Sequence, residues 1–333
     1  MARVPKWMIK AAIQGCLARL PARRQLNRFF QRYISRTLEL DRDYFLSKWN
    51  QVETHIDIFM HNAPLAEEHP VVLELGTGWF PVTPVGLALA GARKIITIDI
   101  DPLLTSRQGH LTIDRYIETI ESGEIPLPDP ELSLEQLRGI RRLGDKTPAE
   151  LLAPLGIEVI VGDASNTNIP PSSLDWVISN NTLEHIPPPI LEAILRELGR
   201  LLTPNGIMSH YIDMTDMYAN SDAEITAFNF LQFTEKTWER FFNNEIQYQN
   251  RLRLSDFKKV HEKLGLQITY ENHIRGVLKE LRSVQLAPSF QSYDEEDLLV
   301  GKGTLVSHRA RKSENVTIPH IVIEDWTYSS VDE

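Results

Sequence analysis

Two periods organise the apolar positions of this chain. Short apolar runs, bounded by Gly, Pro or acidic residues, recur at Val71–Leu75, Lys94–Asp99, Ile157–Val161, Leu174–Ser179 and Gly206–Ile212, and each predicts a buried strand. Helical spacing fills the stretches between them. That alternation predicts a parallel sheet covered on both faces. Two later runs, Gln267–Glu271 and Gly303–His308, would complete a seven-stranded sheet. Upstream, Trp7, Ile9, Ile13, Leu17 and Leu20 stand at mixed helical spacings. Pro21 then interrupts before a second helical stretch, Arg23 to Leu38. A third, roughly Asp41 to Met60, leads through Pro64 and Pro70 into the first strand.

Two segments exceed what the sheet requires. About 55 residues, roughly 103–156, separate the second and third strands, with Pro126, Pro128 and Pro130 ahead of a helix-like Leu132–Leu143. A second insertion, about 213–255, is dense in aromatics from Tyr218 to Tyr248. Both are expected to cap the substrate side of the sheet. The expected division is a helical N-terminal extension or lid over residues 1–65, a catalytic domain over 66–312 and a tail over 313–333. Within that tail, Ile321–Trp326 reads as an edge strand or as part of the tail.

Composition narrows the class. With 333 residues, 42% of them hydrophobic, the chain can bury a large core. Cys16 is its one cysteine, which excludes an internal disulfide framework and a Cys-based zinc site and points to a reducing compartment. No apolar run approaches the roughly 20 residues of a membrane span, and no secretory leader pattern opens the sequence, so a cytoplasmic protein is expected. The net charge of −10 conceals an asymmetry: residues 1–36 carry nine Lys or Arg and no acid. An acidic body argues against a broad nucleic-acid surface. Three readings of the basic segment stay open: a lid packed on the catalytic domain, a helix lying peripherally on an anionic membrane, or a targeting peptide.

The candidate chemistry begins at Val71-Val72-Leu73-Glu74-Leu75-Gly76-Thr77-Gly78, a buried strand ending in an acid and a Gly-x-Gly turn that lets backbone approach a ligand. Thr83 and Pro84 are expected to serve as N-cap and first residue of the next helix. Dinucleotide sites place a third glycine three residues beyond the second, to seat a pyrophosphate; Pro81 stands there instead, which favours S-adenosylmethionine over NAD. In Ile95-Ile96-Thr97-Ile98-Asp99-Ile100-Asp101, the strand ends on Asp99, 21 residues after Gly78, where a carboxylate can accept both ribose hydroxyls. Asp101 is expected to cap the following segment. Val161-Gly162-Asp163-Ala164 brings one more strand-end acid, Asp163, suited to an adenine amino group or to a simple turn.

The fourth motif is Ser179-Asn180-Asn181-Thr182-Leu183-Glu184-His185-Ile186. With ELGTG, IDID and VGDA before it in order, the chain over about 71–212 resembles the class I S-adenosylmethionine-dependent methyltransferases. The resemblance implies a Rossmann-like, seven-stranded, mostly parallel α/β sheet with its last strand antiparallel and the cofactor over the carboxyl ends of the first strands. Carried over by position, Glu74, Gly76, Thr77 and Gly78 would flank the methionine part and Asp99 the ribose. Asp163 and Ala164 would meet adenine, and Asn180 and Asn181 would lie beneath the sulfonium.

Methyl transfer from a sulfonium is an in-line displacement, so a base is needed only where the acceptor must lose a proton. His185 and Asp213 are the catalytic candidates, as a dyad across adjacent strand ends, with His210 in Ser209-His210-Tyr211-Ile212-Asp213 as a third. Asp216, Arg251 and Arg253 are the acceptor-binding candidates; the two arginines could grip a carboxylate or phosphate, or pair with the acidic body. His185, Asp213 and Asp216 could instead hold a divalent metal, although no tight ligand motif supports one. The expected activity is methylation, at oxygen, of a small-molecule or glycan-like acceptor. Its rivals are a nicotinamide-dependent oxidoreductase and a non-catalytic S-adenosylmethionine-binding scaffold.

Overall fold

A computed structural model describes residues 5–18, 39–63, 69–244 and 248–309. The helix expected at Arg23 to Leu38, the tail over 313–333 and the strand expected at Ile321–Trp326 lie outside the described residues.

All seven expected strands form: β1 (Val71–Leu75), β2 (Lys94–Asp99), β3 (Ile157–Val161), β4 (Leu174–Asn180), β5 (Leu202–Asp213), β6 (Leu266–Arg275) and β7 (Val300–Arg309). They make one sheet in the order β3-β2-β1-β4-β5-β7-β6. β1 to β5 run parallel, and β7 lies antiparallel between β5 and β6. The strand order reverses between β1 and β4, which opens a crevice at their carboxyl ends.

Strand alternation divides the core into two layers. On one face, Val72, Ile95, Trp176 and Val306 pack beneath α2 (Arg42–Asn62), α3 (Val82–Leu89) and α4 (Ser106–Glu121). Asp41 caps α2 by accepting from the Tyr44 amide at 2.8 Å. Phe45, Trp49, Val52 and Phe59 then recur at helical spacing and bury that side. Phe45 meets Tyr116 edge-on at 4.8 Å, and Phe59 stacks on Trp176 at 4.7 Å. On the opposite face, Leu73, Val177, Met208 and Leu305 pack beneath two other helices, α7 (Pro188–Leu201) and α9 (Leu254–Lys263).

The two long insertions differ in placement. Residues 103–156 form α4, α5 (Pro130–Arg141) and α6 (Pro148–Leu152), whose Ile113, Leu137, Ile140 and Leu151 belong to the core beside β2 and β3. The aromatic insertion, which includes α8 (Glu235–Phe241), instead builds a separate cluster with Leu281 and Phe290 from the segment before β7. The first helix, α1 (Lys6–Ala18), fastens to this cluster. Its Trp7 ring lies 4.8 Å from Phe242 and 5.7 Å from Tyr218, and its amide donates to Asp222 at 3.0 Å. Met8, Ile9 and Ile13 face outward. Among the described residues, no helix is long and apolar enough to cross a membrane.

One expected cap does not form. α3 starts at Val82 with Pro81 at the N-cap position, because Thr83 is buried and turns its side chain to Glu74. Likewise, Thr105 rather than Asp101 caps α4.

Candidate active site

The turn after β1 is shaped by two left-handed glycines. Gly76 has φ +86°, and a Cβ there would fall 2.4 Å from Thr182 Oγ1. Gly78 has φ +66°, with nothing within 4 Å of a Cβ built on it, so its backbone faces open space. The Gly76 amide donates to Ile98 O at 2.8 Å. Asp99 secures the other end of the turn: Oδ2 accepts the Gly78 amide at 2.9 Å, and Oδ1 accepts the Asp101 amide at 3.1 Å. Burial raises the Asp99 carboxyl, while these amide donors pull it back.

Beside the turn, Glu74 is buried and accepts from Thr97 Oγ1 at 2.8 Å. Thr97 Oγ1 is also hydrogen-bonded to Thr77 Oγ1. Burial pushes the Glu74 carboxyl up to about 7. At the end of β3, Ala164 is buried while Asp163 is exposed and accepts the Ser165 amide at 2.8 Å, which lowers its carboxyl.

The end of β4 carries two polar groups without partners. Asn181 adopts φ +48° and donates its amide to Tyr211 O at 2.9 Å. Its Oδ1 and the Nδ2 of Asn180 are buried and unpaired among the described residues. Buried polar atoms left without a protein partner call for an explanation, and a bound ligand would supply one. A single helical turn, Leu183–His185, follows and is pinned by Asn250, whose Nδ2 donates to Leu183 O at 2.8 Å and Ile186 O at 2.9 Å. Within it Glu184 is buried, and desolvation raises its carboxyl to about 8.

His185 is oriented by a backbone carbonyl. Its Nδ1 lies 2.8 Å from Tyr248 O, an atom that can only accept, so Nδ1 carries the proton and Nε2 keeps its lone pair. The ring is 42% exposed, and desolvation by the protein around its inner edge lowers its pKa, partly offset by the Tyr248 carbonyl and the Asp213 charge. No hydrogen bond joins it to Asp213. Asp213 Oδ1 instead accepts the Thr215 amide at 2.9 Å and hydroxyl at 2.6 Å, and Oδ2 lies 3.7 Å from Lys302 Nζ.

The other sequence candidates are occupied elsewhere. His210 is fully buried on the face under α9, with Nδ1 2.8 Å from Ser179 Oγ and its ring 5.9 Å from that of His261. Asp216 is fully buried and accepts from the Tyr218 amide at 2.8 Å and Asn229 Nδ2 at 2.9 Å. Arg251 donates to Phe230 O and Phe233 O at 2.9 and 2.7 Å, pairs with Glu235 and lies 5.1 Å from the Trp238 and Phe290 rings. Arg253 donates to Met214 O at 2.7 Å, to Leu298 O at 3.0 Å and to Val300 O. These side chains brace the aromatic cluster and the approach to β7.

Sequence reading missed the contribution of α2. Tyr44, Lys48, Gln51 and His55 recur at helical spacing along it. Tyr44 meets Phe80 edge-on at 6.4 Å, next to the glycine turn. His55 bonds to Asn180 Oδ1 at 2.9 Å and Ser209 Oγ at 2.8 Å. Lys48 stands between them, where burial lowers its ammonium and the charges of Glu74 and Glu184 raise it. The available signal was that row of polar positions beside a buried apolar stripe. Among the described residues, no group of three or more His, Cys, Asp or Glu side chains is placed to hold a metal ion.

Residues 131–209 match a family described as a methyltransferase domain. None of the curated proteins matches the chain. Solved structures similar to it include a protein of Pyrococcus horikoshii OT3, at 16% identity and TM-score 0.46, covering 84% of this chain and 98% of that one. A putative sarcosine dimethylglycine methyltransferase from Galdieria sulphuraria is similar at 15% identity and TM-score 0.42, covering 80% and 86%. With TM-scores below 0.5, these likenesses add nothing to the strand order itself. The segment matched by the methyltransferase-domain family runs through β3, β4 and most of β5.

Proposed function

We propose that the crevice at the ends of β1, β2 and β4 holds S-adenosylmethionine and that its methyl group passes to an oxygen of a small-molecule or glycan-like acceptor. The residues present suit that cofactor. Gly76 and Gly78 expose backbone where a larger residue would strain or clash, and Asp99 retains lone pairs for ribose hydroxyls. Glu74 and Thr77 would flank the methionine part, Asp163 and Ala164 the adenine, and Asn180 and Asn181 the region of the sulfur. The cofactor supplies an electrophilic methyl group when bound.

This chain's own residues would align the acceptor and take its proton. The orientation of His185 carries the reading: Tyr248 holds the imidazole by Nδ1, and Nε2, 4.0 Å from Glu184 Oε1, keeps the lone pair to act as base. Asp213, through its charge, would favour the imidazolium that results. The aromatic cluster over 213–255, joined by α1, would exclude water, and Lys48 takes over from Arg251 and Arg253 as the cation available to an anionic acceptor. Labelled methyl donor offered with hydroxyl and carboxyl acceptors tests this. Transfer that is lost in His185→Gln is expected; unchanged turnover in His185→Ala would contradict the assigned base.

The outward Met8, Ile9 and Ile13, next to a segment rich in Arg, also support peripheral contact with an anionic membrane. Ile9→Glu with Ile13→Glu is expected to reduce sedimentation with anionic vesicles; equal sedimentation would oppose this contact.

A further inference from the structure

Trp176, Ser209, His55 and Asn180 form a hydrogen-bonded chain from the core to the crevice, and the acceptor Asn180 Oδ1 at its crevice end fixes its direction. Trp176 Nε1 can only donate, and it donates to Ser209 Oγ at 3.0 Å. Asn180 Oδ1 can only accept, so His55 Nε2, 2.9 Å away, carries a proton, and in the neutral ring Nδ1 accepts the Ser209 hydroxyl proton at 2.8 Å. His55 is fully buried, and desolvation lowers its pKa to about 4, so it is neutral and its single proton sits on Nε2. That proton goes to Asn180 Oδ1 at 2.9 Å. The Nδ2 of Asn180, buried and unpaired among the described residues, remains as a donor at the end of β4.

Resting on the proposed reading of the crevice, we infer that the Trp176–Ser209–His55 relay fixes Asn180 as a hydrogen-bond donor to the methyl-accepting atom and so selects oxygen acceptors over amines. A neutral amine has one lone pair, which it needs for attack. If that pair accepts from Asn180, the amine cannot react. An oxygen has a second pair. One oxygen lone pair forms the new C–O bond while the sulfonium S–C bond breaks and leaves its electrons on sulfur. The other pair stays on Asn180 Nδ2, and a hydroxyl proton passes to His185 Nε2. His55 acts as a positioning residue.

Nitrogen-resolved NMR of the full chain saturated with S-adenosylhomocysteine tests the relay. The His55 ring should carry its proton on Nε2, and Ser209→Ala, which removes the hydroxyl donor to Nδ1, should give a mixture of both forms. Matched probes, phenol against aniline and 4-hydroxybenzoate against 4-aminobenzoate, should move the Asn180 amide protons at least threefold further with the hydroxyl member. An Nδ1-protonated or charged His55 overturns the inference, as does an equal or larger shift with the amines or no shift with either hydroxyl probe. Failure of the wild-type chain to bind S-adenosylhomocysteine would instead overturn the proposed reading of the crevice.

Discussion

The backbone amide of Gly78 donates to Asp99 Oδ2 at 2.9 Å, tying the glycine turn after β1 to the acid that ends β2. Two motifs 21 residues apart in sequence thus form one wall of the crevice. Asp99→Ala removes both the loop clamp and the proposed ribose acceptor. Hydrogen bonds to charged groups contribute about 1.5–3 kcal/mol, so affinity for S-adenosylhomocysteine is expected to fall roughly 10- to 100-fold. Calorimetric titration of the variant checks this.

The two glycines should fail differently when replaced. Gly76→Ala combines a left-handed φ with a clash against Thr182, and a loss of at least about 2 kcal/mol of stability is expected in denaturant titration. Gly78→Ala meets strain alone, roughly 1–2 kcal/mol, and should fold but bind the cofactor poorly because its new methyl group enters the open space. Equal melting temperatures for the two variants would contradict this division.

His185 has its pKa lowered from 6.5, so as pH rises through that lowered value the imidazole loses its proton and can serve as base. The rate of methyl transfer should therefore rise with pH over this limb and then level. His185→Gln should lower kcat by at least about 100-fold and remove the limb, with S-adenosylhomocysteine affinity nearly unchanged. A pH–rate profile of wild type and variant distinguishes these outcomes.

Glu184 links stability to pH in the opposite direction from His55. Its carboxyl is raised from 4.5 to about 8, so the folded protein keeps a proton that the unfolded chain releases. That contribution is complete below pH 4.5 and lost as pH rises through about 8. His55, lowered from 6.5 to about 4, contributes above pH 6.5 and loses its contribution as pH falls through about 4. Glu184→Gln cannot ionise, so its stability relative to wild type should climb between pH 5 and 9, by roughly 3–5 kcal/mol at most. Melting curves across that range measure the trend.

The sheet was legible because its strands carry their own signals. Val71–Leu75 and Lys94–Asp99 form as expected to the residue, each an apolar run stopped by glycine or an acid. Individual side-chain tasks were less legible, because they depend on neighbours remote in sequence. Arg251 and Arg253 looked suited to an anionic acceptor, yet the backbone carbonyls of Phe230, Met214 and Val300 claim them. His210 follows strand alternation onto the face of Met208, which happens to be the face covered by α9. His55 lies 125 residues from Asn180, and only folding brings α2 over the end of β4.

Isothermal titration of the full chain with S-adenosylhomocysteine and, separately, with NAD tests the central claim most directly. Saturable binding of one S-adenosylhomocysteine per chain, with none for NAD, is the expected result. Binding of NAD without S-adenosylhomocysteine would contradict it.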